Sequence, residues 1–144
     1  MHSMSKFRFS IKDPVIILTI LLEGKGNSRQ KIRMALDTGA TYTMIPWKTA
    51  EILGLKPELS KERIEIITAS GLEKAPLVTL KSIVVLGERI ERVEAVVHDL
   101  PPKSYVDGLL GLKSLVELKL KIDFSEGILE VWVKHLAYLL NKLG

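Results

Sequence analysis

Cysteine is absent from the 144-residue chain, so disulfide bonds and metal sites built on thiolates are excluded. The three histidines lie far apart in the sequence and form no metal-ligand motif; they are His2, His98 and His135. We therefore expect neither a metal nor any other cofactor. His98 is close to a predicted turn, where we expect a solvated side chain.

Aromatic residues are also scarce, at 6% of the chain, whereas 47% of all residues are hydrophobic. Isoleucine, leucine and valine must therefore fill the core, and this composition favours strands. A chain of 144 residues is expected to form one domain that is long enough to bury a substantial core.

No hydrophobic segment has the length of a membrane span. The longest apolar run, residues 15–22, has eight residues and includes Thr19, whereas a spanning helix needs about 20. The sequence has no basic segment followed by an apolar stretch and a cleavage-like site, so it gives no indication of secretion. We therefore expect a cytoplasmic protein with no membrane partner.

Neither sign of charge dominates, because 21 Lys and Arg residues are interspersed with 17 Asp and Glu residues, for a formal net charge of +4. Proteins that bind single-stranded nucleic acid combine basic clusters with stacking aromatic residues, and the sequence contains no such cluster. Nucleic acid is therefore not an expected partner. A basic β-domain that binds nucleic acid remains the more distant alternative.

The hydrophobic pattern predicts a mostly β domain with short helices. Strands are predicted over residues 7–11, 15–23, 31–36, 77–80, 83–86, 90–97, 120–124 and 128–133, and from residue 64 into the segment 68–76. Helices are predicted over residues 47–53, from Gly111 to about Leu118, and over 134–143. We assign residues 1–5 to a tag remnant or disordered start, 6–133 to one domain, and 134–144 to a C-terminal amphipathic helix.

One turn in this pattern carries a reactive group. The segment Ala35-Leu36-Asp37-Thr38-Gly39-Ala40-Thr41 joins an apolar strand to a second apolar stretch. Of the five aspartates, Asp37 alone arrives on an apolar strand and is followed by Thr and Gly; the others are Asp13, Asp99, Asp107 and Asp123. A carboxylate on a tight turn between buried strands has a rigid support. The alternative is an ordinary strand turn.

A single carboxylate is a poor catalyst of amide hydrolysis, because one group must take a proton while another gives one. Two adjacent carboxylates meet this need, since both cannot ionise at once and they share a proton. The sequence contains no second Asp-Thr-Gly or Asp-Ser-Gly. A second carboxylate must therefore come from another copy of the chain, across a two-fold axis beside Asp37.

The chain resembles the retropepsin-like aspartic proteases, the homodimeric half-size relatives of pepsin. The resemblance is carried by residues 36–40, by Ile45-Pro46 behind them, and by Leu109-Leu110-Gly111 followed by a predicted helix. A long predicted hairpin lies between the two motifs, where the family has its flap. The fold implied is a closed β-barrel, or acid-protease half domain, with short helices.

The resemblance also implies a function and a site. The function is that of an aspartic endopeptidase, a homodimer that cleaves an extended peptide or protein substrate, with Asp37 as the catalytic carboxylate. The residues implied to support the active-site loop are Thr38, Gly39 and Ala40, and those implied to pack beneath it are Leu110 and Gly111. The flap, implied to bind substrate and to close over it, comprises Thr68, Ala69, Ser70, Gly71 and Leu72, with Gly71 supplying flexibility.

The chain departs from the family in three places. Retroviral members commonly follow the second motif with an arginine that braces the dimer, and Leu112-Lys113 stand in that region here. The flap tip is also poorer in glycine, and residues 134–144 extend beyond the minimal fold. These departures leave the dimer geometry open. The alternative function is a non-catalytic retropepsin-like module for dimerisation or peptide binding.

Overall fold

The strands of the protein form a barrel and a small second sheet, as seen in a computed structural model that describes residues 5–133. The strands are β1 (Ser5–Arg8), β2 (Ile17–Glu23), β3 (Arg29–Leu36), β4 (Thr43–Ile45), β5 (Arg63–Thr68), β6 (Gly71–Val85), β7 (Glu88–Val97), β8 (Gly108–Leu110), β9 (Leu118–Asp123) and β10 (Ile128–Val133). The helices are α1 (Trp47–Ile52) and α2 (Leu112–Leu115), with a 3-10 turn at Pro57–Leu59. The predicted helix over 134–144 lies outside the described residues.

Six strands close into the barrel in the order β2, β3, β8, β4, β7 and β6, and β6 then pairs with β2. The closing pairs join Leu21 to Val84 and Glu23 to Ser82. The prediction of a closed, mostly β barrel is therefore confirmed. Closure removes the free strand edges from the ring. In β2 the alternate residues Leu18, Ile20 and Leu22 point into the core, as the period of a strand requires.

An ion pair reinforces the seam where the barrel closes. The Glu23 carboxylate accepts a hydrogen bond from Ser82 Oγ at 2.5 Å and pairs with the Arg89 guanidinium. The hydrogen bond from Ser82, and then the charge of Arg89, hold the pKa of Glu23 below its ordinary value, although burial acts in the opposite direction. The ionised carboxylate is therefore favoured by the fold.

Strand β8 lies between β3 and β4, although it follows them by more than 60 residues in the chain. It runs parallel to β3, with Leu36 opposite Leu110, and antiparallel to β4, with Met44 opposite Leu109. The Asp37 turn connects β3 to β4, so the chain must cross the end of β8 at this point. This crossing determines the surroundings of Asp37.

Strand β6 is longer than the two separate segments predicted over 77–80 and 83–86. It is continuous over 15 residues, because its second half pairs with β7 and β2 while its first half pairs with β5. The β5–β6 hairpin therefore continues past the end of β7. The predicted long hairpin is present as a projection attached to the barrel.

The core fills the barrel with aliphatic side chains. Its fully buried members include Leu18, Ile20, Leu22, Met34, Ile45, Leu53, Leu80, Ile83 and Leu110. A second, smaller cluster lies beneath the hairpin and comprises Ala75, Leu77 and Val96 with Tyr42, Met44, Ile64 and Ile66 packed against them. Within residues 5–133 no helix has the length and apolar character of a membrane span.

The second sheet has the strand order β1, β10, β9. Its strand β9 corrects the prediction for the preceding helix, which we expected to run from Gly111 to about Leu118. Helix α2 contains only four residues, because Leu118 already pairs with Val133 and is 5% exposed. Burial of Leu118 in the core therefore ends the helix one turn early.

Candidate active site

The turn that carries Asp37 is held by backbone hydrogen bonds on both sides. Leu36 N donates to Ile16 O at 2.9 Å, and Asp37 N donates to Leu110 O at 3.0 Å. The turn itself closes through a 3.2 Å hydrogen bond from Ala40 N to Asp37 O. Asp37 is thus attached to β8 at the residue where β3 ends, and its backbone position is fixed by a buried strand.

The Asp37 carboxylate is half-exposed and has one hydrogen bond to the part of the chain that the structure describes. Gly39 N donates to its Oδ1 at 2.9 Å. A Cβ atom on Gly39 would lie 3.2 Å from the same oxygen, so glycine here keeps the carboxylate uncrowded. Thr38 and Gly39 are exposed and Ala40 is half-buried. The turn therefore presents its carboxylate at the surface.

The two residues predicted to pack beneath the turn lie at the turn and at the segment that follows it. Leu110 is fully buried in the core and accepts the Asp37 N–H. Gly111 lies so close to the following segment that a Cβ atom would be 2.3 Å from Tyr42 O. Leu112 N then donates to Ala40 O at 2.7 Å, which ties the first turn of α2 to the Asp37 turn.

A buried pair of hydroxyl groups joins these elements, and the sequence reasoning missed it. Thr43 Oγ1 lies 2.6 Å from Ser114 Oγ and accepts the Gly111 N–H at 3.1 Å. Thr43 is 0% exposed and Ser114 is 2% exposed. The sequence gives one indication that Thr43 is buried. It lies two positions before Ile45 in β4, so both side chains point to the inward face of the strand.

The predicted flap residues form the tip of the β5–β6 hairpin. Thr68 pairs with Gly71 across a two-residue loop, and Thr68 Oγ1 both donates to Gly71 O and accepts the Ser70 N–H. Gly71 has φ +115°, a conformation that glycine adopts readily. Ala69 is exposed, and Leu72 at 71% is among the most exposed large hydrophobic residues.

The base of the hairpin is packed against the segment that leaves the Asp37 turn. One face of β5 contributes Ile64 and Ile66 to the small cluster that contains Tyr42 and Met44. The other face carries Ile67, which lies opposite Leu72 and is 86% exposed. Ile67 and Leu72 are thus exposed to solvent near the hairpin tip, while the opposite face of β5 packs against the barrel.

The prediction that the His98 side chain is solvated is wrong, because the side chain contacts Glu73. Its Nε2 atom lies 2.6 Å from Glu73 Oε2, on the hairpin, and its side chain is 29% exposed. The His98 backbone N–H donates to Ile45 O at 3.0 Å, at the end of β4. The residue therefore links the barrel rim to the hairpin.

Three of the other aspartates accept backbone N–H groups. Asp99 accepts from Trp47 at the start of α1, Asp107 accepts from Arg33, and Asp123 accepts from Glu126 in a turn. Hydrogen bonds from Glu126 N and Ser125 Oγ hold the pKa of Asp123 below its ordinary value. Asp37 also accepts a backbone N–H, from Gly39, so what separates it from these carboxylates is its place on the turn between β3 and β4, where its own backbone N–H donates to β8.

Two concave surfaces formed by the described residues lie away from Asp37. A cavity of about 270 Å³ lies between β7 and α2, and a shallower one of about 490 Å³ lies beside Gly24 and Leu55; neither is lined by Asp37. Among the described residues no group of three or more His, Asp or Glu side chains could hold a metal ion.

Comparisons with known proteins agree with this geometry. A family model described as aspartyl protease matches residues 21–113, which include the Asp37 turn, the hairpin and β8. The crystal structure of a retropepsin-like aspartic protease from Rickettsia conorii is similar, with a TM-score of 0.64, 22% sequence identity and 90% of each chain covered. No curated protein sequence matches the chain significantly. The fold is retropepsin-like, and the chain belongs to the aspartyl protease family.

Proposed function

We propose that the protein is an aspartic endopeptidase that hydrolyses peptide bonds with water activated between Asp37 and the Asp37 of a second copy in a homodimer. The observation that carries this proposal is the state of the Asp37 carboxylate. The Asp37 backbone is held by β8, whereas its carboxylate is half-exposed and, within residues 5–133, accepts a hydrogen bond only from Gly39. One oxygen is therefore available to a water molecule or to a second carboxylate.

The chemistry follows from two carboxylates in contact, the arrangement known from the aspartic-protease dyad. Because both cannot ionise together, one is a base and the other an acid. The base takes a proton from water as the water oxygen attacks the carbonyl carbon, and the acid protonates the carbonyl oxygen. Transfer of a proton to the amide nitrogen then allows the C–N bond to break.

The need for a second copy rests on what one chain contains. The sequence has one Asp-Thr-Gly turn, and the other aspartates with described hydrogen bonds accept backbone N–H groups elsewhere. The exposure of Thr38 and Gly39 leaves the turn accessible to its symmetry mate. In this dimer Thr38 would hydrogen-bond across the two-fold axis and hold the paired turns together.

The β5–β6 hairpin would act as the flap. Its tip carries the exposed Ile67–Leu72 pair, and its base is anchored beside the segment that leaves the Asp37 turn. Closure of this hairpin over an extended peptide would bury apolar surface and exclude bulk water from the carboxylates. The substrate class is therefore an extended peptide or an unfolded segment of a protein.

The direct test is the Asp37→Asn variant, assayed by mass spectrometry for cleavage of a peptide mixture at mildly acidic pH. We expect turnover to fall below detection, because an amide cannot take the proton from water, while sedimentation shows an unchanged dimer. Asp13→Asn makes the same chemical change at an exposed position and should retain wild-type turnover. Equal activity of the wild type and Asp37→Asn would refute the proposal.

A mixing experiment tests the shared site. Exchange of subunits with a ninefold excess of Asp37→Asn would leave about one tenth of the wild-type chains paired with each other, so activity should fall about tenfold. An enzyme that works as a monomer would keep its full activity. Dimers that bind extended peptides but cleave none would favour the non-catalytic module.

A further inference from the structure

The contact between Glu73 and His98 crosses the point where the hairpin leaves the barrel. Strands β6 and β7 pair as far as Leu77 and Val96, and β7 ends one residue later. From there β6 continues with β5 as its partner, and Glu73 lies opposite Ile66 in that hairpin. The side-chain contact at 2.6 Å therefore joins the free part of β6 to the rim of the barrel.

The two ends of this contact differ in how firmly they are held. His98 follows directly after β7, and its backbone N–H donates to Ile45 O at 3.0 Å. Glu73 stands two residues from Gly71 at the hairpin tip, and its side chain is 44% exposed. The histidine is thus the fixed end, and the glutamate moves with the hairpin.

We propose that Glu73 and His98 form a latch that holds the β5–β6 hairpin to the barrel rim and that tightens when the imidazole is protonated. The proposal rests on the proposed function in one respect: it makes His98 a positioning residue of the flap. The latch itself depends only on the geometry of the hairpin, so it can be tested without measuring proteolysis.

The charged groups around the imidazole favour this assignment. From β6 the ring meets Glu73, and Lys74, the next residue, lies opposite Glu65 in the backbone register of the hairpin. Asp99, the next residue in the chain, accepts the backbone N–H of Trp47. On β5 the residue opposite Glu73 is Ile66, and on β4 the residue whose carbonyl accepts the His98 N–H is Ile45. The carboxylate of Glu73 is therefore the group that responds to the charge of the ring.

The direction of the pH effect follows from general acid–base behaviour. An imidazole ordinarily gains its proton near pH 6.5, whereas a glutamate keeps its negative charge down to about pH 4.3. With a protonated ring the contact is an ion pair, and with a neutral ring it is a hydrogen bond, which is weaker. The latch should therefore be tight at mildly acidic pH and loose above neutral pH.

The test is amide hydrogen exchange of residues 63–76 followed by mass spectrometry between about pH 5 and pH 8, corrected for the intrinsic pH dependence of exchange. A partly exposed ion pair is expected to raise hairpin protection about twofold to fivefold on acidification. Both His98→Gln and Glu73→Gln should abolish this rise. Glu65→Gln, the same change elsewhere on the hairpin, should retain it.

A variant with a permanent charge gives the opposite result. His98→Lys keeps a cation at every pH used, so hairpin protection should stay high above neutral pH. A wild-type rise that persists in His98→Gln would overturn the latch. Loss of the rise in these variants, together with a wild-type protein that cleaves no peptide, would uphold the latch and refute the proposed function, so the two failures are distinguishable.

Discussion

Replacing Thr43 by valine removes one buried hydroxyl while preserving the shape of the side chain. The hydroxyl accepts the Gly111 N–H and lies 2.6 Å from Ser114 Oγ, in a region where both hydroxyl-bearing residues are almost fully buried. The substitution therefore leaves two buried polar groups without this partner. Because Gly111 and Ser114 adjoin the Asp37 turn through β8 and α2, the loss falls on the support of the candidate site.

The magnitude follows from the two groups left behind. Each buried polar group that loses its partner costs about 1–3 kcal/mol, so Thr43→Val should lower the free energy of unfolding by about 2–6 kcal/mol. That is a large part of the about 5–15 kcal/mol typical of a domain. With a urea m-value of about 2 kcal/mol/M, the midpoint should fall by about 1–3 M.

The assay is urea unfolding, with Thr79→Val as the matched control. Thr79 is an exposed residue of β6, so the same change there should alter stability by less than about 0.5 kcal/mol. Ser114→Ala should destabilise the wild type by about 1 kcal/mol but have little effect in the Thr43→Val background. Strict additivity of the two substitutions, or a Thr43→Val effect no larger than that of Thr79→Val, would refute the reasoning.

Three further predictions concern other parts of the fold. Gly111→Ala should destabilise by about 3 kcal/mol or more in thermal unfolding, because its Cβ would meet the Tyr42 carbonyl. Gly26→Ala, which has open space but φ +61°, should lose only about 1–2 kcal/mol, and a reversed order would contradict the crowding argument. Asp99→Ala should lose about 1 kcal/mol in urea unfolding, because the first N–H of α1 loses its acceptor; unchanged stability would count against this contact. The fold lowers the pKa of Glu23, so the ionised carboxylate stabilises the folded state. This contribution should be complete above pH 4.5, the ordinary pKa of a glutamate, and should decline as the pH falls through the lower pKa that Glu23 has in the folded protein. The difference in the free energy of unfolding between the wild type and Glu23→Gln should therefore shrink on acidification, and a difference that grows would contradict this assignment.

The candidate site could be predicted to the extent that it is local in the chain. Asp37, Thr38 and Gly39 are consecutive, and an apolar strand before a tight turn is enough to indicate a supported carboxylate. The hairpin tip around Gly71 was predictable for the same reason, since turn residues and flanking strands are neighbours in sequence.

Contacts between distant residues could not be predicted in this way. Thr43 and Ser114 are 71 positions apart, and each alone is an ordinary polar residue in an apolar region. Likewise, the position of His98 next to a predicted turn does not indicate its contact with Glu73, because this contact depends on where β7 ends while β6 continues. Periodicity describes the faces of each element but not the distance between two elements.

The sequence by itself determined the mostly β character, which follows from periodicity and composition, and the position of the one Asp-Thr-Gly turn. The closed barrel was implied by the resemblance to retropepsin-like proteases that this turn and Leu109-Leu110-Gly111 carry. Only the tertiary structure decided that β8 passes between β3 and β4, and that the Leu110 carbonyl therefore accepts the Asp37 N–H. It also decided that α2 ends early, because the core takes Leu118 into β9. The physical reason is that strand order and burial depend on the whole chain competing for the same hydrogen bonds and the same apolar volume.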